Sequence, residues 1–407
     1  MDKQHETIVI LGAGHSGVSA ASFLRQNGWP GSIHLISEED RLPYQRPPLS
    51  KGWLKGDVSA TDLELRSDKF YREQRVEIHL NASPEIIVRK RKTVVLKDGR
   101  EFPYTYLIAA LGARARNLGI PGSDLKNVFE LRSVVDAEKL KTMLRPGARI
   151  IIIGGGYIGL EVAATAIALG AHPTIVEREN RVLSRCASVE LSAFIEREHR
   201  NRGVAVECDA NVKAILEYDG SAATVQLENG REISCDIVLI GTGVRPNDDL
   251  ARVAGLICED GIVVDNESKT TDPHVYAIGD CSTRPLPHGG FGRLESVPNA
   301  VEQAKQAAAS ICGQKLPKLE VPWFWSDQFN FKVQMAGTLA GAPEAVIRTN
   351  GAENFSVFHL SADRRLQAVE TVNAPREFMA GKQLIAKGQP ITAEQLQSNS
   401  ITNEAAA

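Results

Sequence analysis

The hydrophobic pattern of this chain contains one arrangement twice. The apolar run Thr7-Ile-Val-Ile-Leu11 leads into a glycine-rich turn, a helical pattern over 18–27 and a second short strand over 32–37. The run Arg149-Ile-Ile-Ile-Ile-Gly154 repeats it, with a helix over 160–169 and a second strand over 173–177. Unbroken apolar runs of this kind suit strands covered on both faces, as in a parallel sheet. Residues 63–75 predict one helix with a basic, polar face. Residues 85–99 predict a β-hairpin or meander with a turn at Asp98-Gly99, its basic run 89–92 forming a solvated turn, and 204–233 predict a second meander. Two further strands, 236–243 and 275–280, have the form of strands returning to each sheet, and 297–312 reads as a helix. After Lys318, alternating strands are expected over 332–335, 344–348, 356–360 and 366–371, followed by a helical stretch over 377–387. The small, polar tail 390–407 is expected to be mobile over its last dozen residues.

The glycines give these repeats a chemical meaning. Gly12, Gly14 and Gly17, and again Gly154, Gly156 and Gly159, make G-x-G-x-x-G between strand and helix. The first glycine permits the tight turn, the second lets backbone N–H groups approach a pyrophosphate, and the third lets helix and strand pack closely. Each unit also ends its second strand in an acid. Glu38 lies 21 residues beyond Gly17 (38 − 17), and Glu177 lies 18 beyond Gly159 (177 − 159). Both are near the ~20-residue offset at which a carboxylate accepts ribose hydroxyls. Two complete fingerprints in one chain imply two dinucleotides, such as FAD and NAD(P)H. The expected fold is α/β: two Rossmann-like domains, the FAD-binding one discontinuous and the NAD-binding one inserted into it, with a C-terminal α+β domain. The expected boundaries are 1–112 and 241–317 for the FAD domain, 113–240 for the NAD(P) domain, and 318–407 for the C-terminal domain.

Composition narrows this further. The 407 residues are 43% hydrophobic and 24% charged, with net charge −3. That suits a soluble protein of two or three domains and gives no support to nucleic-acid binding. No apolar run approaches the ~20 residues of a membrane span, and the N-terminus enters a strand without a secretory signal, so a cytoplasmic protein is expected. The six cysteines, 186, 208, 235, 258, 281 and 312, form no C-x-x-C pair. Free thiols are therefore expected, with neither a disulfide framework nor a metal.

The stretch Arg41-Leu-Pro-Tyr-Gln-Arg-Pro-Pro-Leu-Ser-Lys51, following the first fingerprint, resembles the FAD-dependent NADH:ferredoxin reductases of bacterial oxygenase systems. The resemblance runs from Ile8 to about Val372. It includes Tyr104–Arg116, where Leu111 and Ala115 replace the family's Thr and Pro, Glu130-Leu-Arg-Ser133, Glu295-Ser-Val-Pro-Asn and Pro322-Trp-Phe-Trp-Ser-Asp-Gln328. It implies that Lys51 sits near the flavin, paired with Glu161, where a cation favours the anionic reduced ring. It implies that Asp280 hydrogen-bonds the ribityl chain, that Glu295 and Val297 pass beside the isoalloxazine, and that Trp325 flanks it. Ser16, Arg46, Arg116 and Arg132 are further cofactor-binding candidates. Tyr157, Ile158, Arg185 and Gly243 join the second fingerprint, with Ile158 against the nicotinamide and Arg185 on the adenosine side. Lys51 and Glu161 would be catalytic only by positioning, since the hydride chemistry belongs to the cofactors.

Glu177 favours NAD, because a carboxylate accepts the 2′- and 3′-hydroxyls and repels a 2′-phosphate, although Arg178, Arg181 and Arg185 are close by in sequence. The implied activity passes electrons from NADH through FAD, one at a time, to a two-iron two-sulfur ferredoxin. That ferredoxin would serve a cytochrome-type monooxygenase or a ring-hydroxylating dioxygenase. Docking would be transient and electrostatic, with Arg66, Lys305 and Lys332 as candidates, and the reductase a monomer. A disulfide or peroxide reductase would need a redox cysteine within 38–65, and none is there. An apoptosis-inducing-factor-like signalling flavoprotein, or a quinone or dye reductase, are the alternatives.

Overall fold

The computed structural model describes residues 3–286, 289–349, 351 and 353–398. The chain packs as two units. The first comprises the chain up to Gln45, Ala60–Arg114 and Arg245–Pro322; the second comprises Arg46–Ser59, Ala115–Val244 and the chain from Trp323 onward.

The first unit is built on a five-stranded parallel sheet. Its strands lie in the order Val275–Ala277, Tyr106–Ala109, Thr7–Leu11, Ser32–Ile36, Val76–His79. The strand that precedes the first glycine turn is central, and Ile8, Val9, Ile10 and Leu11 are fully buried, which explains its unbroken apolar sequence. Helices His15–Gln26 and Val297–Cys312 pack on one another and share a core with Ile8, Ile10 and Ile278. The 84–103 region forms the expected antiparallel meander. The turn at 89–91 is a short 3₁₀ segment, and Asp98-Gly99 links the second and third strands.

The helix expected over 63–75 is not continuous. Short helices Ala60–Leu63 and Asp68–Glu73 flank a non-helical stretch. There Leu65 donates its N–H to Pro43 O (2.8 Å) and Leu63 O accepts from Gln45 N (2.8 Å). The proline-rich segment thus takes the backbone groups that a continuous helix would have used.

The second unit repeats the parallel sheet in the order Ala205–Glu207, His172–Val176, Arg149–Ile153, Ile237–Ile240, Val128–Phe129. Again the strand before the glycine turn is central. A meander of Val212–Tyr218, Ser221–Leu227 and Glu232–Ser234 covers one face. From Trp323 the chain makes a five-stranded antiparallel sheet, Trp323–Gln328, Phe331–Gly337, Leu366–Val372, Phe355–Leu360, Glu344–Thr349, backed by helix Pro375–Lys387. The tail expected to be mobile lies mostly outside the described residues; as far as Ser398 it includes the capped helix Ala393–Gln397.

Packing groups two further stretches with the second unit. Residues 46–59, expected within the FAD-binding part, belong to the second unit, where Leu54 is buried among Leu140, Leu160 and Val162. The C-terminal sheet does not stand apart either, since Phe331, Val333, Phe355 and Val357 are continuous with the same core. Among the described residues, no helix is long and apolar enough to cross a membrane.

Asn127 fastens the second unit's meander to its parallel sheet. The buried amide donates to Ala222 O and Asp236 O, both 2.8 Å, and accepts from Ala222 N at 2.6 Å. Asn127→Ala strands these backbone groups and is expected to cost roughly 1–3 kcal/mol, read from the urea midpoint. A loss below about 0.5 kcal/mol, typical of an exposed site, would contradict the role.

Candidate functional site

Each unit carries a glycine turn of the same construction. In the first, Gly12 has φ +105°, and a Cβ there would strike the carbonyl of Ala110 on the returning strand. Gly17 packs on the carbonyl of Gly12, while a Cβ on Gly14 would meet nothing within 4 Å. In the second, Gly154 has φ +112° and its Cβ would lie 2.5 Å from Gly241 O. Gly159 packs on Gly154 O, and Gly156 is open. The helices that follow, His15–Gln26 and Tyr157–Ala168, have glycine N-caps, no side-chain cap and no acid in the first turn. Their first N–H groups and positive ends therefore remain available to an anionic group, which fits a dinucleotide pyrophosphate at each turn.

In the first unit, Ser16 is buried beside the turn Gly279–Cys281 that carries Asp280. Gly279 has φ +74°, and a Cβ there would lie 2.9 Å from Ser16 Oγ. The turn is held by Gln303, whose Oε1 accepts from Gly279 N (2.8 Å) and which exchanges hydrogen bonds with Ser282 Oγ. Asn299 in turn donates to Gln303 Oε1 (3.0 Å) and accepts from Arg284 (2.9 Å). These positioning residues were not singled out from the sequence. Their signal was the polar series Asn299, Gln303, Gln306 on one face of an alanine-rich helix, all three buried. Arg293 pairs with the exposed Glu295 (2.8 Å) and donates to Asp280 O (3.4 Å). Val297 opens its helix behind the Ser296 cap. Glu38 is exposed just past its strand.

In the second unit, Glu177 lies against the glycine turn. One carboxylate oxygen accepts from Gly155 N (2.6 Å) and the other from Glu179 N (2.9 Å). Arg178 is paired with Glu179 (2.7 Å), and Arg181 donates to Ser184 O and Ser188 O. Arg185 is exposed and reaches toward Gly243. Ile158 is 43% exposed at the helix start. The Tyr157 hydroxyl is buried with no hydrogen-bond partner among the described residues, and burial pushes its pKa well up. Arg116 offers an exposed side chain and gives its backbone N–H to Gly243 O (2.9 Å); in the first unit it is Arg114 that is engaged, by Asn247 (2.6 Å) and Asp249 (2.5 Å). Arg46 donates to Arg132 O (2.6 Å). The six cysteines are free thiols, and burial raises Cys186, Cys208 and Cys235 to about 11 and Cys281 to about 12, far from a reactive thiolate.

Lys51 and Glu161 meet within this unit. Lys51 Nζ lies 2.7 Å from Glu161 Oε2 and donates to Pro47 O (3.0 Å). Glu161 also accepts from Ser50 Oγ (2.5 Å) and Ser326 Oγ (2.6 Å), so one buried carboxylate joins the 46–59 segment, a helix and the C-terminal sheet. Both serines lie inside the motifs that carried the resemblance, yet neither was assigned a role. Trp325, next to Ser326, has its ring 5.7 Å from that of Trp323.

Paired glycine turns on paired parallel sheets define a two-dinucleotide oxidoreductase. Residues 6–304 match the family model of pyridine nucleotide-disulphide oxidoreductases, and 323–404 match the reductase C-terminal model. A probable ferredoxin reductase of Castellaniella defragrans is 43% identical, over 96% of each chain. A rubredoxin-NAD(+) reductase of Pseudomonas putida is 39% identical, over 91% of this chain and 96% of that one. The crystal structure of a covalent putidaredoxin reductase–putidaredoxin complex contains a chain that superposes with TM-score 0.95 at 37% identity, over 99% of both chains. The chain belongs to the pyridine nucleotide-disulphide oxidoreductases and, within them, to the putidaredoxin reductase-like ferredoxin reductases of bacterial oxygenase systems. It is a ferredoxin–NAD(P)+ oxidoreductase, and membership implies an FAD cofactor and an NAD(P)H substrate.

The Glu161 cluster predicts unequal costs for its two charges. Glu161→Ala strands the largely buried Lys51 ammonium and is expected to cost about 3 kcal/mol, the low end for breaking a buried pair. Lys51→Met leaves the carboxylate with two hydroxyl donors and should cost less. Equal losses in denaturant unfolding would contradict this.

Proposed function

We propose that this reductase takes hydride from NADH and delivers electrons singly to a two-iron two-sulfur ferredoxin serving a cytochrome-type monooxygenase or a ring-hydroxylating dioxygenase. The observation that carries this reading is full-length likeness to a reductase that forms a complex with putidaredoxin. Bound flavin supplies the exchange between two-electron and one-electron chemistry. The first glycine turn, Gly12, Gly14 and Gly17, with Ser16, Glu38 and Asp280, would hold FAD, joined by Arg46, Arg116, Arg132, Glu295, Val297 and Trp325. The second turn, with Tyr157, Ile158, Glu177, Arg185 and Gly243, would hold the nicotinamide dinucleotide.

The preference for NADH rests on Glu177. Its carboxylate is oriented by two backbone N–H groups and keeps lone pairs for a ribose diol, whereas a 2′-phosphate would meet its charge. Neighbouring Arg178, although exposed, is paired with Glu179, and Arg181 is occupied by backbone carbonyls, while Arg185 extends into solvent. Ile158 offers an apolar surface at the helix start that would restrict how a nicotinamide ring approaches. Lys51, held by Glu161, would act by position, and no side chain need move a proton for hydride delivery. Arg66, Lys305 and Lys332 are all exposed and are proposed as part of the docking charge. The likeness to rubredoxin-NAD(+) reductase supports a second reading, in which the acceptor is a rubredoxin.

Stopped-flow reduction with NADH and NADPH, coupled to cytochrome c through an added ferredoxin or rubredoxin, separates these readings. Fast bleaching by NADH with ferredoxin-dependent cytochrome reduction is the expected result; transfer that requires rubredoxin would overturn the acceptor. Glu177→Ala should raise KM for NADH by roughly 10-fold or more, the worth of a charged hydrogen bond, with little change in kcat. An unchanged KM would remove Glu177 from the ribose site.

A further inference from the structure

The first unit carries a side-chain cluster that dinucleotide chemistry does not use. Strands Ser32–Ile36 and Val76–His79 pair in parallel, with His34 opposite Glu77 and Ile36 opposite His79. Side chains alternate between the faces of a strand, so His34, Glu77 and His79 share one face. His34 Nδ1 lies 3.1 Å from His79 Nε2 and 3.3 Å from Glu77 Oε2, and His79 Nε2 lies 3.5 Å from Glu77 Oε1.

We propose that His34, Glu77 and His79 form a binding site for a divalent metal ion of the zinc class. Nitrogen and oxygen ligands about 2.0–2.2 Å from a tetrahedral Zn²⁺ stand about 3.3–3.5 Å apart, and the three contacts of this cluster, two of them to different oxygens of the Glu77 carboxylate, are near that spacing. Two imidazoles and one carboxylate suit Zn²⁺, Cu²⁺ or Ni²⁺ and disfavour Mg²⁺ and Ca²⁺, which take oxygen. The rings are already oriented, because Phe102 makes edge contacts with both, at 4.7 Å to His79 and 5.5 Å to His34. Arg100, the nearby cation, is paired with Asp98. Glu77 is largely exposed while the two imidazoles are mostly covered. An ion would therefore enter from solvent beside Glu77 and keep one position for water. In that state His34 carries its proton on Nε2 and His79 on Nδ1.

Val76–His79 is the outermost strand of its sheet. An ion bridging it to Ser32–Ile36 would fasten that edge and stabilise the folded state by mass action. The same N···N distance also suits an imidazole–imidazole hydrogen bond, which would need no metal.

Calorimetric titration of the flavin-loaded, metal-stripped protein with Zn²⁺, alongside thermal unfolding, tests the proposal. The expected result is one saturable binding event and a raised Tm, with no effect of Mg²⁺. Binding should be lost in His34→Asn and His79→Asn. It should weaken at least about 10-fold in Glu77→Gln, whose exposed position leaves folding undisturbed. Absence of saturable Zn²⁺ binding, or binding equally tight in Glu77→Gln and therefore due to thiols or other groups, would overturn it.

Discussion

A helix that starts on a glycine without a side-chain cap leaves its first N–H groups and positive end unsatisfied, at a cost of a few tenths of a kcal/mol relative to a capped one. This chain has such starts at Gly14 and Gly156; the helices after Ser133, Ser188 and Ser296 are capped by serine hydroxyls, while helix Pro375–Lys387, which follows no glycine turn, also lacks a side-chain cap. The rest of each parallel sheet is arranged around that uncapped start. The preceding strand is central in its sheet, and the turn is so close to the returning strand that Gly12 and Gly154 admit no Cβ. In the first unit the returning strands come from distant parts of the chain, and a buried amide network from Gln303 and Asn299 fixes the loop that carries Asp280. The donors are thus pre-oriented before any phosphate arrives, which is how a binding site avoids paying for order at the moment of binding.

Glu161 plays the corresponding part for charge. A carboxylate this deeply buried is tolerable only when its lone pairs are matched, and here an ammonium and two hydroxyls do so. The arrangement ties Lys51 to a fixed place through three separate stretches of chain. It also explains why 46–59 packs with the second unit although the sequence reading placed it with the first.

What could be read from the sequence was what is local. Strand, glycine turn, helix and terminal acid follow one another within a few dozen residues, so both fingerprints and Glu177 were legible before any contact was known. The roles of Ser50 and Ser326 were not, because they reach Glu161 across 111 and 165 residues. The break near Glu64 was hidden because Pro43 and Gln45 supply the competing backbone partners. Arg114 and Arg116 share a motif, and only their surroundings tell the engaged side chain from the exposed one. His34, Glu77 and His79 become a cluster only through the register of a parallel pair, which spacing along the chain does not disclose.

The central claim is that the two turns serve different dinucleotides. Gly14 and Gly156 have backbone conformations open to any residue, and a Cβ at either meets nothing within 4 Å. An aspartate there is a favourable N-cap for the fold while its charge would occupy the proposed phosphate position. The decisive measurement is flavin content per chain, with single-turnover bleaching by NADH, in Gly14→Asp and Gly156→Asp. The account predicts that Gly14→Asp folds but purifies without flavin, and that Gly156→Asp retains its flavin but bleaches only at much higher NADH. Loss of flavin from Gly156→Asp, or full flavin and normal bleaching in Gly14→Asp, would contradict it.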